Sequence, residues 1–309
     1  KTNINFVNED ILDIKKFLWE INRIEIFSEN LKNEKILNFE NKKNKLFSMI
    51  KNYDLYNSLI LSLKESRFFR IKKNTGSIEI KKYKLIINCD VNSYFSKKYF
   101  YKNLTKTYNS HAFTAIISHE KCLNNNTASQ IFTKNGPLAF LPISNEKTSI
   151  VYSIRYPKNI NLLNLIKNYN SKYKIKKISK ISTFELKAKN LRNYYYKNIL
   201  AFGDLLHKIH PLAGQGFNMS IRDIKLLMGL IKSKLDLGLV LDSSICADFE
   251  KNMKHRNFIF SSGIDFIYEF FNFESKTKSQ LLSKSVKSLG RNKYTNKFLT
   301  NLADSGILN

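Results

Sequence analysis

The stretch FGDLLHKIHPLAGQGFNMSIRD, from Phe202 to Asp223, is the strongest indication of the fold in this sequence. The apolar residues just before it predict a short buried strand, and Gly203-Asp204 follows that strand at once. A loop with two glycines, residues 211–216, comes next. Beyond the loop, apolar residues spaced three and four apart predict a helix that begins near Asn218.

This succession of elements has a chemical meaning. An acid at the end of a strand can accept hydrogen bonds from sugar hydroxyls, and glycines let the backbone approach a flat or anionic ligand closely. A helix N-terminus adds unpaired N–H groups and the positive end of a dipole. From the residues alone, two interpretations stay open. The segment is a nucleotide or cofactor cradle, or it is an ordinary strand–loop–helix connection whose glycines serve only as turns.

The stretch resembles the second FAD-binding motif of one enzyme family, the ubiquinone-biosynthesis branch of the class A flavoprotein monooxygenases. That motif begins Gly-Asp-Ala-Ala-His and continues His-Pro-x-Ala-Gly-Gln-Gly-x-Asn-x-Gly-x-Arg-Asp. Ser220 stands here where the family usually has glycine. Leu205 and Leu206 replace the two alanines, and we expect these larger side chains to crowd the cofactor.

The resemblance implies that FAD is the cofactor and assigns residues to it. Asp204 would hydrogen-bond the ribitol, and Pro211 would shape the wall near the reactive ring. Backbone N–H groups of residues 214–216 would face the pyrimidine edge of the flavin and stabilise negative charge on it. Asn218 would contact the cofactor or serve as the helix N-cap. The full cofactor-binding set is Gly203, Asp204, Pro211, Ala213, Gly214, Gln215, Gly216, Phe217, Asn218 and Asp90.

Weaker matches occur in the same order along the chain. The run GPLAFLP, residues 136–142, resembles the family's Gly-Pro-x-Ala-x-Leu-Pro strand, which faces substrate and flavin. Phe184 lies where the family has an aromatic residue before the FAD strand. The resemblance therefore implies a substrate-binding set of Leu138, Leu141, Pro142 and Phe184.

Two departures from the family pattern concern nucleotide binding. The family opens with a strand, Gly-x-Gly-x-x-Gly and a helix, which bind the ADP part of FAD. This sequence has no such motif and begins with Lys1, so we expect it to start after that segment. The family's Ala-Asp-Gly-x-x-Ser motif corresponds to residues 88–93, where Asp90 and Ser93 remain but the glycine is lost. We expect this loop to be altered.

The expected fold class is α/β. It comprises an FAD/NAD(P)-binding fold that is incomplete at the N-terminus, an inserted, mainly antiparallel β-sheet substrate domain, and C-terminal helices. The expected division is a partial FAD-binding region with the start of the substrate sheet at 1–110, the substrate-binding sheet at 111–190, the second FAD motif at 191–240 and the helices at 241–309. Residues 257–273 carry many aromatics, which favours a core-facing amphipathic helix over a docking surface for a membrane or a partner.

Charge and cysteine content limit the other classes of function. The chain has 52 Lys+Arg against 25 Asp+Glu, a net charge of +27 that could attract nucleic acid or anionic lipid. The lysines are spread along the chain and no nucleic-acid motif accompanies them, so a biased composition is the favoured explanation. The three cysteines have no metal-ligand spacing, and their odd number argues against a disulfide framework. We expect a cytoplasmic protein, in peripheral contact with the inner membrane.

The function implied by the resemblance is hydroxylation of an aromatic ring in ubiquinone biosynthesis. NAD(P)H would reduce the flavin, O2 would form a C4a-hydroperoxyflavin, and oxygen would pass to a polyprenylated phenol or quinone precursor. We expect no metal site, because no carboxylate or cysteine completes a set with His207 and His210. No side chain is assigned as a catalytic base. The alternative is a degenerate, non-catalytic paralogue or fragment that acts as a scaffold among the subunits of the ubiquinone-biosynthesis assembly.

Overall fold

The structure, a computed structural model, describes residues 2–40, 45–72, 79–155, 162–211, 214–277 and 284. The strands are β1 Trp19–Ile21, β2 Arg23–Ser28, β3 Glu34–Glu40, β4 Phe47–Met49, β5 Ile86–Asn88, β6 Asn103–His119, β7 Thr127–Thr133, β8 Gly136–Pro142, β9 Lys147–Arg155, β10 Ile175–Ile178, β11 Ser182–Leu191, β12 Tyr195–Tyr196, β13 Ile199–Ala201 and β14 His207–Lys208. The α-helices are α1 Thr2–Phe6, α2 Asn52–Glu65, α3 Tyr94–Tyr99, α4 Leu162–Tyr169, α5 Gln215–Asp236 and α6 Ser244–Thr277.

A nine-stranded sheet forms the larger layer of the molecule. Its strand order is β14-β11-β6-β9-β8-β7-β2-β3, and β10 pairs with β6 beside this path. Among its described strands, only β2 and β7 run parallel to each other. One face packs against α4 through a cluster that includes Leu138, Tyr152 and Ile166. The opposite face meets α6, where Ala112 packs with Tyr268. The predicted, mainly antiparallel sheet is confirmed.

Two apolar, strand-like segments joined by residues 144–147 predict a hairpin, and β8 and β9 form it. Its turn is closed by the backbone N–H groups of Ile143 and Ser144, which donate to the Lys147 carbonyl at 3.0 and 3.1 Å. The Ser144 hydroxyl accepts from the Glu146 backbone N–H at 3.1 Å. Because inward and outward side chains alternate on both strands, the hairpin contributes one apolar row to the α4-side core.

A smaller sheet of three strands carries the motif segment. Its order is β12-β13-β5, and β13 runs parallel to β5. Ile199, Leu200 and Ala201 of β13 are all fully buried, as a strand covered on both faces should be. They share a core cluster with Phe249 on α6 and Leu227 on α5. The α/β architecture with C-terminal helical packing is thereby confirmed.

Two segments differ from what their sequences predict. The Lys/Asn-rich stretch 32–45 predicts an exposed hairpin or loop, yet β3 pairs with β2 at the edge of the large sheet. The apolar spacing in residues 4–18 predicts a helix, but the chain forms α1, a π-turn at Val7–Ile11 and a 3-10 turn at Lys15–Phe17. β6 begins at Asn103, within the expected region 1–110 that includes the start of the sheet. Of the expected C-terminal helical region, the structure describes residues 241–277 and 284.

Candidate FAD site

Two predicted acidic residues meet at one edge of the small sheet. β13 and β5 are parallel, with Ala201 opposite Asn88 at their carboxyl ends. Asp204 follows β13 after three residues, and Asp90 follows β5 after two. In α/β folds, ligands bind beyond the carboxyl ends of parallel strands. The topology therefore brings together two acids that are 114 residues apart in sequence (204 − 90).

The Gly203-Asp204 turn leaves open space at the strand end. Gly203 has a φ of +60°, and a Cβ added there would meet no atom within 4 Å. A 3-10 turn, Gly203–Leu205, then redirects the chain, closed by the Leu206 N–H donating to the Gly203 carbonyl at 2.9 Å. Asp204 is exposed, and nothing in the described part of the chain hydrogen-bonds its carboxylate. A free acceptor next to an open backbone suits a polyol.

The N-terminus of α5 is the second part of the candidate site. The helix begins at Gln215, and its N-cap is Gly214 in the left-handed conformation, with no side-chain cap. A Cβ on Gly214 would also meet nothing within 4 Å. The first N–H groups of α5 thus remain available to an acceptor. The helix starts three residues before the predicted position, because a left-handed glycine rather than Asn218 caps it.

Asn218 is therefore not an N-cap, and that interpretation is wrong. Its side-chain amide donates to Gln215 Oε1 at 3.2 Å, while its Oδ1 accepts from Asn3 at 3.2 Å. These bonds tie the start of the chain to the first turn of α5. Phe217 is half exposed on this turn, and Ala213 lies outside the described residues.

The two leucines that replace the family's alanines point into the protein. Leu205 and Leu206 are fully buried in the cluster with Phe249 and Ile245. Their bulk fills the core beneath the turn, so the expected crowding of the cofactor is not what the structure shows.

A buried polar pair fixes the turn to α5. His207 Nε2 and Asp223 Oδ2 are 2.5 Å apart, with side chains 2% and 0% exposed. Asn257 of α6 donates to the other oxygen of Asp223 at 3.3 Å. Buried polar groups of this kind are costly to leave unpaired, so the triad holds three elements in one register. His207 is accordingly a structural partner of Asp223.

His210, immediately before Pro211, sits between two tyrosines. Its ring lies against Tyr268 of α6, with centroids 4.1 Å apart, and meets Tyr108 of β6 edge-on at 4.9 Å. The Tyr108 hydroxyl donates to Asp265, and Arg155 Nε donates to the Tyr268 hydroxyl at 2.9 Å. The glycine loop is thus anchored to both the large sheet and α6.

The surroundings of His210 favour the neutral form of its imidazole. Burial, reinforced by the nearby Arg155 guanidinium, lowers the pKa of His210 to about 3. No sequence pattern pointed to Tyr108, Arg155 or Tyr268, which come from three separate elements. Only the fold brings them to the loop.

The Asp90 loop is short and self-contained. Asp90 Oδ1 accepts from the Asn92 backbone N–H at 2.8 Å, which makes a tight turn without the family's glycine. Ser93 then caps α3, its hydroxyl accepting from the Ser96 backbone N–H at 3.2 Å. The altered loop still presents Asp90 at the surface of the candidate site.

The four expected substrate residues do not line one wall. Leu138 is fully buried on the α4 side of the sheet, and Pro142, four residues on, shares that side. Leu141 points to the opposite side, because alternate residues of a strand face opposite ways. Phe184 lies opposite Ala112, which packs against α6. Leu141 and Phe184 thus remain candidates on the α6-side face.

The aromatic segment of α6 is a core-facing helix, as the sequence favours. Asn257, Ser261, Ile264 and Tyr268, spaced four, three and four apart, are all buried. Phe258, Phe266 and Phe273 are exposed on the other side of the helix. The buried face is the one that contacts Asp223 and His210.

Known proteins are similar to the part of the chain that carries this site. A model of the FAD binding domain matches residues 161–236. The chain is 30% identical over 152 residues to 3-demethoxyubiquinol 3-hydroxylase of Escherichia coli (strain K12), and the match covers 46% of this chain and 39% of that enzyme. It is 21% identical over 279 residues to a ubiquinone biosynthesis monooxygenase of Schizosaccharomyces pombe, with coverages of 72% and 57%. Over part of its length, the chain is thus similar to hydroxylases and monooxygenases of ubiquinone biosynthesis.

Solved structures share the fold of this chain. The p-nitrophenol 4-monooxygenase of Pseudomonas putida DLL-E4 superposes with a TM-score of 0.78 at 10% identity, covering 99% of this chain and 87% of that one. Klebsiella pneumoniae HpxO, solved with FAD and uric acid, gives a TM-score of 0.70 at 10% identity, with coverages of 99% and 87%. The chain spans well under two thirds of the length of the two curated relatives. In the part that the structure describes, no helix is long and apolar enough to cross a bilayer.

Proposed function

We propose that this protein is an FAD-dependent aromatic-ring hydroxylase of ubiquinone biosynthesis. NAD(P)H would supply two electrons, and O2 would supply one oxygen atom to the ring and release the other as water. The substrate would be a polyprenylated phenol or quinone precursor, reached in peripheral contact with a membrane. The observation that carries the proposal is that Asp90 and the Gly203-Asp204 turn follow two neighbouring parallel strands at their carboxyl ends, and that the helix next in the chain, α5, begins without a side-chain cap.

The residues present fit the flavin half of FAD. Open space at Gly203 and Gly214 admits a flat ring and a polyol close to the backbone. Asp204 would accept from ribityl hydroxyls, and the first N–H groups of α5 would donate to the pyrimidine edge of the flavin. When bound, FAD would supply the activation of O2. The chain's own contribution is to bind and orient the flavin, with Leu141 and Phe184 as candidates to contact the substrate.

The chain should bind FAD and FMN with similar affinity. Its sequence contains no Gly-x-Gly-x-x-Gly motif to bind the ADP half of FAD. The adenylate of FAD should therefore add little to the affinity. We expect both dissociation constants to lie above about 1 µM and within about threefold of each other. Quenching of flavin fluorescence on titration of the chain as given measures both. A strong preference for FAD would show that the chain holds the adenylate by other residues. No binding of either flavin would favour the scaffold alternative.

Asp204→Ala should weaken flavin binding by at least about tenfold. The change removes a charged acceptor, whose hydrogen bonds contribute about 1.5–3 kcal/mol. Asp204 is exposed, so the fold should be unaffected. Asp236→Ala, at the far end of α5, is a matched loss of an exposed acid and should leave affinity unchanged. Equal affinity of the two variants would remove Asp204 from the site.

A further inference from the structure

An open groove lies on the large sheet, on the side away from α6. It runs between α4 and β10 and is lined by apolar side chains and lysines. Its lining includes Leu163, Ile175, Ile178, Ile181, Lys167, Lys176, Lys177 and Lys180. We call this surface the lysine groove. No acidic residue lines it among the described residues.

The local backbone explains how so many lysines reach one surface. Leu163 and Lys167 are four residues apart on α4 and so share a face, and both are exposed. On β10, the pairing with β6 shifts register between Ile175 and Lys177. A bulge of this kind re-aims consecutive side chains, and Lys176 and Lys177 both reach solvent.

The charge of the groove is not neutralised locally. Some lysines elsewhere pair with a carboxylate within 4 Å, as Lys35 does with Glu25 at 2.6 Å and Lys254 with Glu250 at 2.6 Å. In the part of the chain that the structure describes, Lys167, Lys176, Lys177 and Lys180 form no ion pair, and the groove that they line has no carboxylate. Lys174, next to the groove in sequence, is paired with Glu120 at 3.5 Å. The groove therefore combines four lysines with apolar side chains and no acidic residue.

We propose that the lysine groove is a docking surface for an anionic phospholipid bilayer. Lysine ammonium groups would meet lipid phosphates, while their alkyl stems lie along apolar side chains. Leu163 is 43% exposed beside them and offers an apolar group to the interface. A nucleic acid fits less well, because the aromatic ring that lines the groove, Tyr173, is 7% exposed and offers no face for base stacking. The proposal does not depend on flavin binding.

The test compares two charge reversals of equal size. In the groove variant, Lys176→Glu, Lys177→Glu and Lys180→Glu are combined. The control variant combines Lys64→Glu, Arg67→Glu and Lys72→Glu, three exposed residues on and after α2. Both lose the same net charge. Circular dichroism checks that each is folded.

Co-sedimentation with phosphatidylcholine vesicles, with and without phosphatidylglycerol, measures binding. Each basic residue near an anionic surface contributes roughly fivefold, so the groove variant should lose on the order of a hundredfold in partition. The control should change by less than about threefold, and salt near 1 M should abolish binding of the natural chain. Equal losses in both variants would show diffuse attraction and overturn the proposal. Binding to a homopolymeric RNA but not to vesicles would also overturn it. If the groove variant binds vesicles as well as the natural chain, the proposal is overturned. The lysines would then serve only to keep the edge strand β10 from pairing with other strands.

Discussion

Asp223→Ala should lower the free energy of unfolding by about 2–5 kcal/mol, because each buried polar group left without its hydrogen-bond partner costs about 1–3 kcal/mol. The carboxylate is fully buried and accepts from His207 and Asn257. Its removal would leave both of those buried groups without their partner. Urea denaturation followed by circular dichroism measures the loss. Asp236→Ala, on the same helix but exposed, should change stability by less than about 0.5 kcal/mol.

Asp223→Asn separates loss of charge from loss of the hydrogen bonds. The amide keeps one acceptor oxygen, so it should recover part of the stability lost in the alanine variant. Flavin affinity should fall together with stability in Asp223→Ala, because the pair holds the Gly203-Asp204 turn against α5. A stability loss under about 1 kcal/mol in the alanine variant would mean that water or a rearranged side chain replaces the carboxylate.

Local order in the motif segment could be predicted from the sequence. A strand, a glycine turn, a loop and a helix are set by residues that are neighbours in the chain, and all four form between Ile199 and Asp236. The helix start was missed by three residues, because the left-handed conformation of Gly214 shows only in the backbone. The antiparallel β8–β9 hairpin was equally accessible, since its alternation and its turn residues are adjacent.

Long-range contacts could not be predicted. His210 is caged by Tyr108 and Tyr268, which lie far from it in sequence and on different elements. Nothing in the spacing of these tyrosines marks them. The β3 strand was missed for a related reason. Its polar sequence resembles an exposed segment, and only pairing with β2 at the edge of the sheet makes it a strand.

The predicted substrate-binding residues of β8 show a different limit of the sequence-based prediction. Leu138 and Leu141 are three positions apart, and the period of a strand is two, so they had to face opposite sides. The sequence already contained this information. The family resemblance assigned Leu138, Leu141 and Pro142 together to the substrate and took no account of the alternation of side chains along the strand. The structure divides the motif between the α4-side core and the α6-side face.

Gly136→Ala should destabilise the protein by about 3 kcal/mol or more and disturb the strand that carries Leu141. Gly136 has a φ of +135°, a conformation that residues with a side chain rarely adopt. An added Cβ would lie 2.0 Å from the Ser153 carbonyl oxygen, which belongs to the backbone of β9 and cannot swing away. Relief would require β8 and β9 to separate, which would break the packing of Leu138 against Tyr152.

The matched control is Gly229→Ala in the middle of α5. A Cβ there meets no atom within 4 Å, and the backbone is helical, so alanine should gain up to about 1 kcal/mol. The two variants add the same methyl group and should move the urea midpoint in opposite directions. In Gly136→Ala, the strain would be transmitted along β8 towards Leu141, so that any effect on substrate binding should accompany the loss of stability. A Gly136→Ala protein as stable as the natural chain would show that the β8–β9 hairpin adjusts to the added methyl group at little energetic cost.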